Sequence, residues 1–227
     1  MPAEKMFGFT AQEMQNIFKK LHTIVLIGPP GAGKDTEAEV LLGLMKKWSP
    51  EIPIDYLCTG DIFREALPKF SPVIREKFNE IQAAGQLQPG IIASALWASK
   101  ILFETRGGHI LINGSPRALD EAENMIDFYY HVLGRALKIF LLQISDAESE
   151  ERMVKRNLHM AENNIKVRVD TKTPESRKAK RDFYHKHTVP ALEYLYNVKG
   201  AEVLTVSSSE EKDSVTRSIL SLLDTYQ

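Results

Sequence analysis

Apolar residues follow two rhythms along the chain. Five short runs, at residues 23–27, 52–57, 109–113, 137–144 and 202–206, are rich in Ile, Val and Leu with few interruptions. Such a run predicts a strand covered on both faces, as in a parallel sheet, because a solvated face would show polar residues at every second position. Helical spacing fills the intervals, over residues 10–21, 34–48, 61–67, 72–84, 90–105, 119–133, 146–159, 174–197 and 209–226. In the first of these, Thr10 and Glu13 stand at capping-box spacing ahead of Met14, Ile17, Phe18 and Leu21. Strands alternating with helices must return in parallel through right-handed crossovers. The pattern therefore predicts an α/β fold, a five-stranded parallel sheet between helices, with a ligand crevice at the strand C-termini. No repeat, linker or low-complexity tract divides the chain, which reads as a single domain over residues 1–227. Residues 59–90 and 157–170 lack a strand of their own. They are predicted to be inserts over the crevice, on a core of residues 1–58, 91–156 and 171–227.

Composition narrows the chemistry. The 29 basic and 30 acidic side chains give no net positive field, so nucleic acid is not an expected partner and a bound anion must be met by a local cluster. The single cysteine, Cys58, excludes an internal disulfide and points to a reducing compartment, the cytoplasm. No apolar run approaches the roughly 20 residues that cross a bilayer, so no membrane is expected.

The segment Gly28-Pro29-Pro30-Gly31-Ala32-Gly33-Lys34 follows the first run directly and opens the helix that carries Ala38, Leu41, Leu42 and Met45. Glycines let the backbone turn tightly and approach a ligand. Successive amides and the helix N-terminus then face anionic oxygens, and Lys34 adds a point charge, which predicts a nucleoside triphosphate site. A glycine-rich turn without ligand is the bland alternative, and it requires the lysine and the strand-helix context to coincide by accident.

With its hydroxyl at Thr36 rather than next to the lysine, this loop resembles that of adenylate kinases and other nucleoside monophosphate kinases. Later segments match the family in order. They are Thr59-Gly60-Asp61 with Arg64, Gly85-Gln86-Leu87-Gln88-Pro89, Asn113-Gly114-Ser115-Pro116-Arg117, the pair Arg152 and Arg156, then Arg168 with Asp170, and Tyr184, Thr188 and Pro190. The resemblance covers nearly the whole chain after residue 22. It implies a P-loop NTPase fold with a monophosphate-binding insert at 59–90 and a short lid at 157–170, which carries no cysteines and so no zinc. It implies transfer of the terminal phosphate of Mg-ATP to a nucleoside monophosphate, AMP foremost, by a monomer. ATP would be held by Gly28, Pro29, Pro30, Gly31, Ala32, Gly33, Lys34, Asp35, Thr36, Arg152 and Arg156. The acceptor would be held by Thr59, Gly60, Arg64, Gln88, Gly114, Arg117, Glu121 and Arg168. Magnesium would lie against Thr36 and Asp61, partly through water. Lys34, Arg117, Arg156, Arg168 and a helix cation would surround the transferring phosphate. Alignment on Tyr184 puts that last cation at Lys180, with Arg177 and Arg181 as alternatives.

Four departures bear on chemistry. Asp35 replaces a common glycine, Asn113 an aspartate that orients water on the metal, and Thr171 the second aspartate after Arg168. Glu121 stands where the family's glutamine reads adenine. An ionised carboxylate only accepts hydrogen bonds. Glu121 can therefore take the amino group of adenine or cytosine, or the N–H and amino group of guanine; as a bare residue type it equally suits a solvated position early in a helix. Two alternatives stay open: a kinase for GMP, CMP or another small acceptor, and a nucleotide-binding protein with little turnover.

Overall fold

The computed structural model describes residues 5–83, 89–165, 167, 169–209 and 211–225. Strands β1 (Thr23–Ile27), β2 (Ile54–Cys58), β3 (His109–Asn113), β4 (Leu137–Gln143) and β5 (Ala201–Ser207) form one sheet in the order β2-β3-β1-β4-β5, every neighbouring pair parallel. The expected α/β architecture is thus present. Its switch point lies at β1, where the chain crosses first to one side of the sheet and later to the other.

The uninterrupted apolar runs have a direct cause. Ile24 and Leu26 face a core built with Met14 and Phe18 of α1 (Ala11–Lys19), Leu41 and Met45 of α2 (Lys34–Trp48), and Ile219 and Leu220 of α10 (Lys212–Thr225). Val25 and Ile27 face the opposite core, with Trp97 and Ile101 of α5 (Gly90–Glu104), Met125 of α6 (Leu119–Met125), and Leu192 and Leu195 of α9 (Val189–Asn197). Each such side chain contributes about 1.5–3 kcal/mol on burial, so packing rather than helix propensity fastens the helices to the sheet. The capping box forms as its spacing predicts: Thr10 Oγ1 accepts from the Glu13 amide at 3.3 Å, and Glu13 Oε2 accepts from the Thr10 amide at 2.6 Å.

Several boundaries differ from expectation. β2 starts at Ile54 rather than 52 because Pro53 has no N–H to give the ladder, although its carbonyl still accepts from the His109 amide at 2.8 Å. The expected helix at 119–133 is α only through Met125 and continues as a wider π turn over Ile126–Val132. That at 174–197 divides into α8 (Pro174–Phe183), a π turn over Tyr184–Thr188, and α9 with Pro190 in its first turn. Helix α7 (Asp146–Glu162) runs beyond residue 159, so residues 157–162 of the expected lid are helical. In the 59–90 segment, α3 (Thr59–Ala66) and α4 (Pro72–Ala83) are held together by Phe63, Phe70 and Phe78, with ring centroids 5.5–6.3 Å apart. Among the described residues, no helix is long and apolar enough to cross a membrane.

Candidate active site

The phosphate loop leaves β1 at the switch point and enters α2. Gly28 is required by proximity: a Cβ there would stand 2.4 Å from the Leu142 carbonyl oxygen of β4. Gly33 caps α2 with φ at 86°, in the left-handed region that glycine adopts without strain. Two serines from other elements brace the loop. Ser149 of α7 donates to the Pro30 carbonyl at 2.6 Å, and Ser208, just after β5, donates to the Ala32 carbonyl at 2.7 Å. These bonds hold the loop in the kind of turn whose backbone amides can meet an anion, although the Ala32 amide itself donates to the Pro29 carbonyl at 3.2 Å. Sequence reading passed over both serines; a hydroxyl at the start of α7 or after β5 carries no signal without the fold.

Lys34 folds back on the loop, its Nζ donating to the carbonyls of Gly28 at 2.8 Å and Pro29 at 2.9 Å. Burial draws its amine down to about 7; Asp35 opposes the shift, while Arg117, Lys180 and Arg156 reinforce it. These four cations, from α2, the β3–α6 loop, α7 and α8, therefore share one field. Burial also lowers Lys180, and Arg117 and Arg156 contribute to that shift. An anion is the group that would relieve this crowding.

The three candidate helix cations of α8 have different partners. Arg177 Nε donates to Glu150 Oε1 at 2.6 Å, and Arg181 bonds the same carboxylate, so both are held on α7. Lys180 pairs with Asp170 and faces the cation cluster. The Arg156 guanidinium of α7 donates to Thr171 Oγ1 at 3.2 Å. Arg152 donates to the Ser208 carbonyl at 2.6 Å and packs against Gly31, beside the phosphate loop.

On the other side of the loop, Arg117 Nε donates to the Gly114 carbonyl at 2.6 Å, and the Arg117 carbonyl accepts from Thr188 Oγ1 at 2.9 Å. The Ser115-Pro116 peptide between Gly114 and Arg117 is cis. Arg64 is folded onto Asp61 and lies against Gly60. Asp61 sits below the usual carboxylate range: burial would raise it, but hydrogen bonds with Cys58 and Arg64 and the Arg64 charge outweigh that. Thr59 is buried, with its hydroxyl 2.5 Å from Ser115 Oγ. Asp35 and Asp61 are close enough for one charge to be felt by the other, and the half-buried Thr36 follows Asp35 in the first turn of α2.

Glu121 is not the solvated helix residue that its type allows. It is only 2% exposed, and its oxygens accept from Ser115 Oγ at 2.5 Å and the Arg117 amide at 2.7 Å. Gln88 and Arg168 lie outside the described residues.

A braced phosphate loop at the switch point of a parallel sheet, with cations converging on it from four elements, defines an α/β P-loop protein that handles phosphoryl groups. No protein-family model matches the chain. It is 30% identical over 201 residues to adenylate kinase 2 of Synechocystis sp., spanning 88% of this chain and 99% of that protein. It is 31% identical over 204 residues to the adenylate kinase of Chelativorans sp. (88% and 97%), and 30% over 207 residues to that of Methylorubrum populi (90% and 96%). The chain belongs to the adenylate kinase family and is a phosphotransferase.

Proposed function

We propose that the protein transfers the terminal phosphate of Mg-ATP to a nucleoside monophosphate, with AMP as the acceptor. The observation that carries this reading is the shared field of Lys34, Arg117, Arg156 and Lys180 beside the phosphate loop. Phosphoryl transfer needs little covalent help, and catalysis comes from alignment and from charge placed where it develops on the equatorial oxygens. The loop amides and Lys34 hold the donor phosphates, and Arg152 lies on the side of the loop near Ser208, toward the donor nucleoside. Arg117 holds the acceptor phosphate, joined by Arg64 once it leaves Asp61. Arg156 and Lys180 stand over the transferring group, with Arg168 assigned there by family position. No general base is needed, because the acceptor is already a phosphate anion.

The residues beside the loop suit a magnesium ion, which binds through one or two carboxylates, water and substrate phosphates rather than through a full protein cage. Among the described residues no cluster of three metal-ligating side chains exists, and the two mutually sensed carboxylates Asp35 and Asp61 with the Thr36 hydroxyl provide the donors that such a site uses. When bound there, the ion supplies neutralisation of the donor phosphates. The 59–90 and 157–170 segments, closing over both nucleotides, keep water from acting as acceptor.

Sequence similarity to proteins named adenylate kinases supports AMP over other acceptors. The test is steady-state turnover with ATP and Mg²⁺ against AMP, GMP, CMP and UMP. AMP is expected to be the best acceptor. Lys34→Met is expected to lose at least about 10²–10³-fold in kcat while retaining the wild-type circular dichroism spectrum. ATP binding without diphosphate formation from any monophosphate would overturn the proposal.

A further inference from the structure

Glu121 stands at the start of α6 in the position from which a side chain could reach an acceptor base, yet both of its oxygens are turned inward. Oε2 accepts from the Arg117 amide at 2.7 Å and Oε1 from Ser115 Oγ at 2.5 Å, while Ser115 Oγ lies 2.5 Å from Thr59 Oγ1. Because Ser115 donates its single hydroxyl proton to Oε1, Thr59 must be the donor to Ser115. The chain of bonds therefore runs from Thr59, the first residue of α3, through Ser115 to Glu121, and Glu121 closes it on the Arg117 backbone. The indole N–H of Trp97 faces the same carboxylate at longer range. At 2% exposure and with each oxygen bonded within the protein, Glu121 does not present its carboxylate on the surface of the site.

We propose that Glu121 is a positioning residue, which fixes the backbone of Arg117 and ties it to the start of α3, and that it does not read the acceptor base. The inference rests on the acceptor-phosphate role of Arg117 in the proposed transferase. A carboxylate suits this position because both neighbours present donors. Methionine offers neither a strong acceptor nor a charge, and glutamine keeps one acceptor while turning a donor toward the other partner.

The test uses the full chain with Glu121→Met, Glu121→Gln and Ser115→Ala. In Glu121→Met, kcat/KM for AMP, GMP, CMP and UMP is expected to fall together, by roughly 10–100-fold for the loss of two buried hydrogen bonds, with the order of preference and the KM for ATP unchanged. Glu121→Gln and Ser115→Ala are expected to show smaller uniform losses. Independently of turnover, the Arg117 amide proton in an arginine-¹⁵N-labelled sample is expected downfield in the wild type and upfield in Glu121→Met and, less so, Glu121→Gln. A change in base preference in any folded Glu121 variant would overturn the proposal, as would an unmoved Arg117 amide. Wild type that binds ATP but turns over no monophosphate would instead remove the transferase reading, and the amide shift would still decide the positioning role.

Discussion

The Asn113 side-chain amide donates to Asp35 Oδ1 at 2.9 Å, joining the end of β3 to the first turn of α2. Asn113 is 1% exposed and also approaches the Tyr56 hydroxyl, at 3.3 Å. The carboxylate gained at 35 and the one lost at 113 are thus partners: an aspartate at both positions would set two acceptors face to face. Asn113→Asp is expected to destabilise the protein by roughly 1 kcal/mol, and Asp35→Asn/Asn113→Asp, which exchanges donor and acceptor, to recover most of that loss. Urea denaturation of the two variants measures it, and equal stabilities would dissolve the pairing.

Lys180 and Arg177 should separate cleanly. Lys180→Met is expected to cost about 10²-fold in kcat with little change in melting temperature, because Lys180 faces the cation cluster and its partner Asp170 is solvent-accessible. Arg177→Met is expected to lower stability by roughly 2 kcal/mol, since it removes a buried guanidinium from Glu150 and the Thr171 carbonyl, with a smaller effect on turnover of the remaining folded protein. Paired kinetic and calorimetric measurements would expose a reversal of these roles.

Glu37, on α2 facing α10, is 4% exposed, and among the described residues the one hydrogen bond to its carboxyl comes from Thr216 at 3.1 Å. Burial raises its carboxyl to about 7, with the Thr216 bond opposing. The folded chain therefore keeps a proton that the unfolded chain surrenders near 4.5. Its contribution to stability is full below that pH and is lost as pH rises through about 7, up to about 3 kcal/mol. Stability of Glu37→Gln should decline less than that of the wild type between pH 5 and pH 8; parallel curves would contradict this.

The stacked rings of His22 and His109 predict the opposite dependence. His109 Nδ1 accepts from the His22 amide at 3.2 Å, which leaves Nε2–H to meet Ser49 Oγ at 3.1 Å, so a second proton has no place. Burial lowers both imidazoles to about 4. The unfolded chain binds protons first, so stability present above pH 6.5 is lost as pH falls toward 4. In the Glu37→Gln background, where the opposing carboxyl is absent, chemical denaturation from pH 7 to 4.5 should show a loss of several kcal/mol.

The sheet was legible because strands buried on both faces leave continuous apolar runs, and β1 and β3 match their runs residue for residue. The phosphate loop was legible because its glycines and Lys34 have few other uses together. The orientation of Glu121 was not: spacing places it four residues after Arg117, but only the fold shows the carboxylate turned toward Ser115. The serine hydroxyl was the available signal, a donor beside an acid. Alignment on Tyr184 points to Lys180 ahead of Arg177 and Arg181, but that Glu150 occupies both arginines is visible only in the fold. The π turns after Met125 and Phe183 leave no mark on apolar spacing, since each widens the helix by a single bond.

Phe63, Phe70 and Phe78 face one another rather than the sheet. A segment with its own aromatic kernel could tilt as one piece without parting those rings. What such a tilt would have to strain includes the apolar seat of Ile62 of α3 on the core and the Thr59–Ser115 hydroxyl bond.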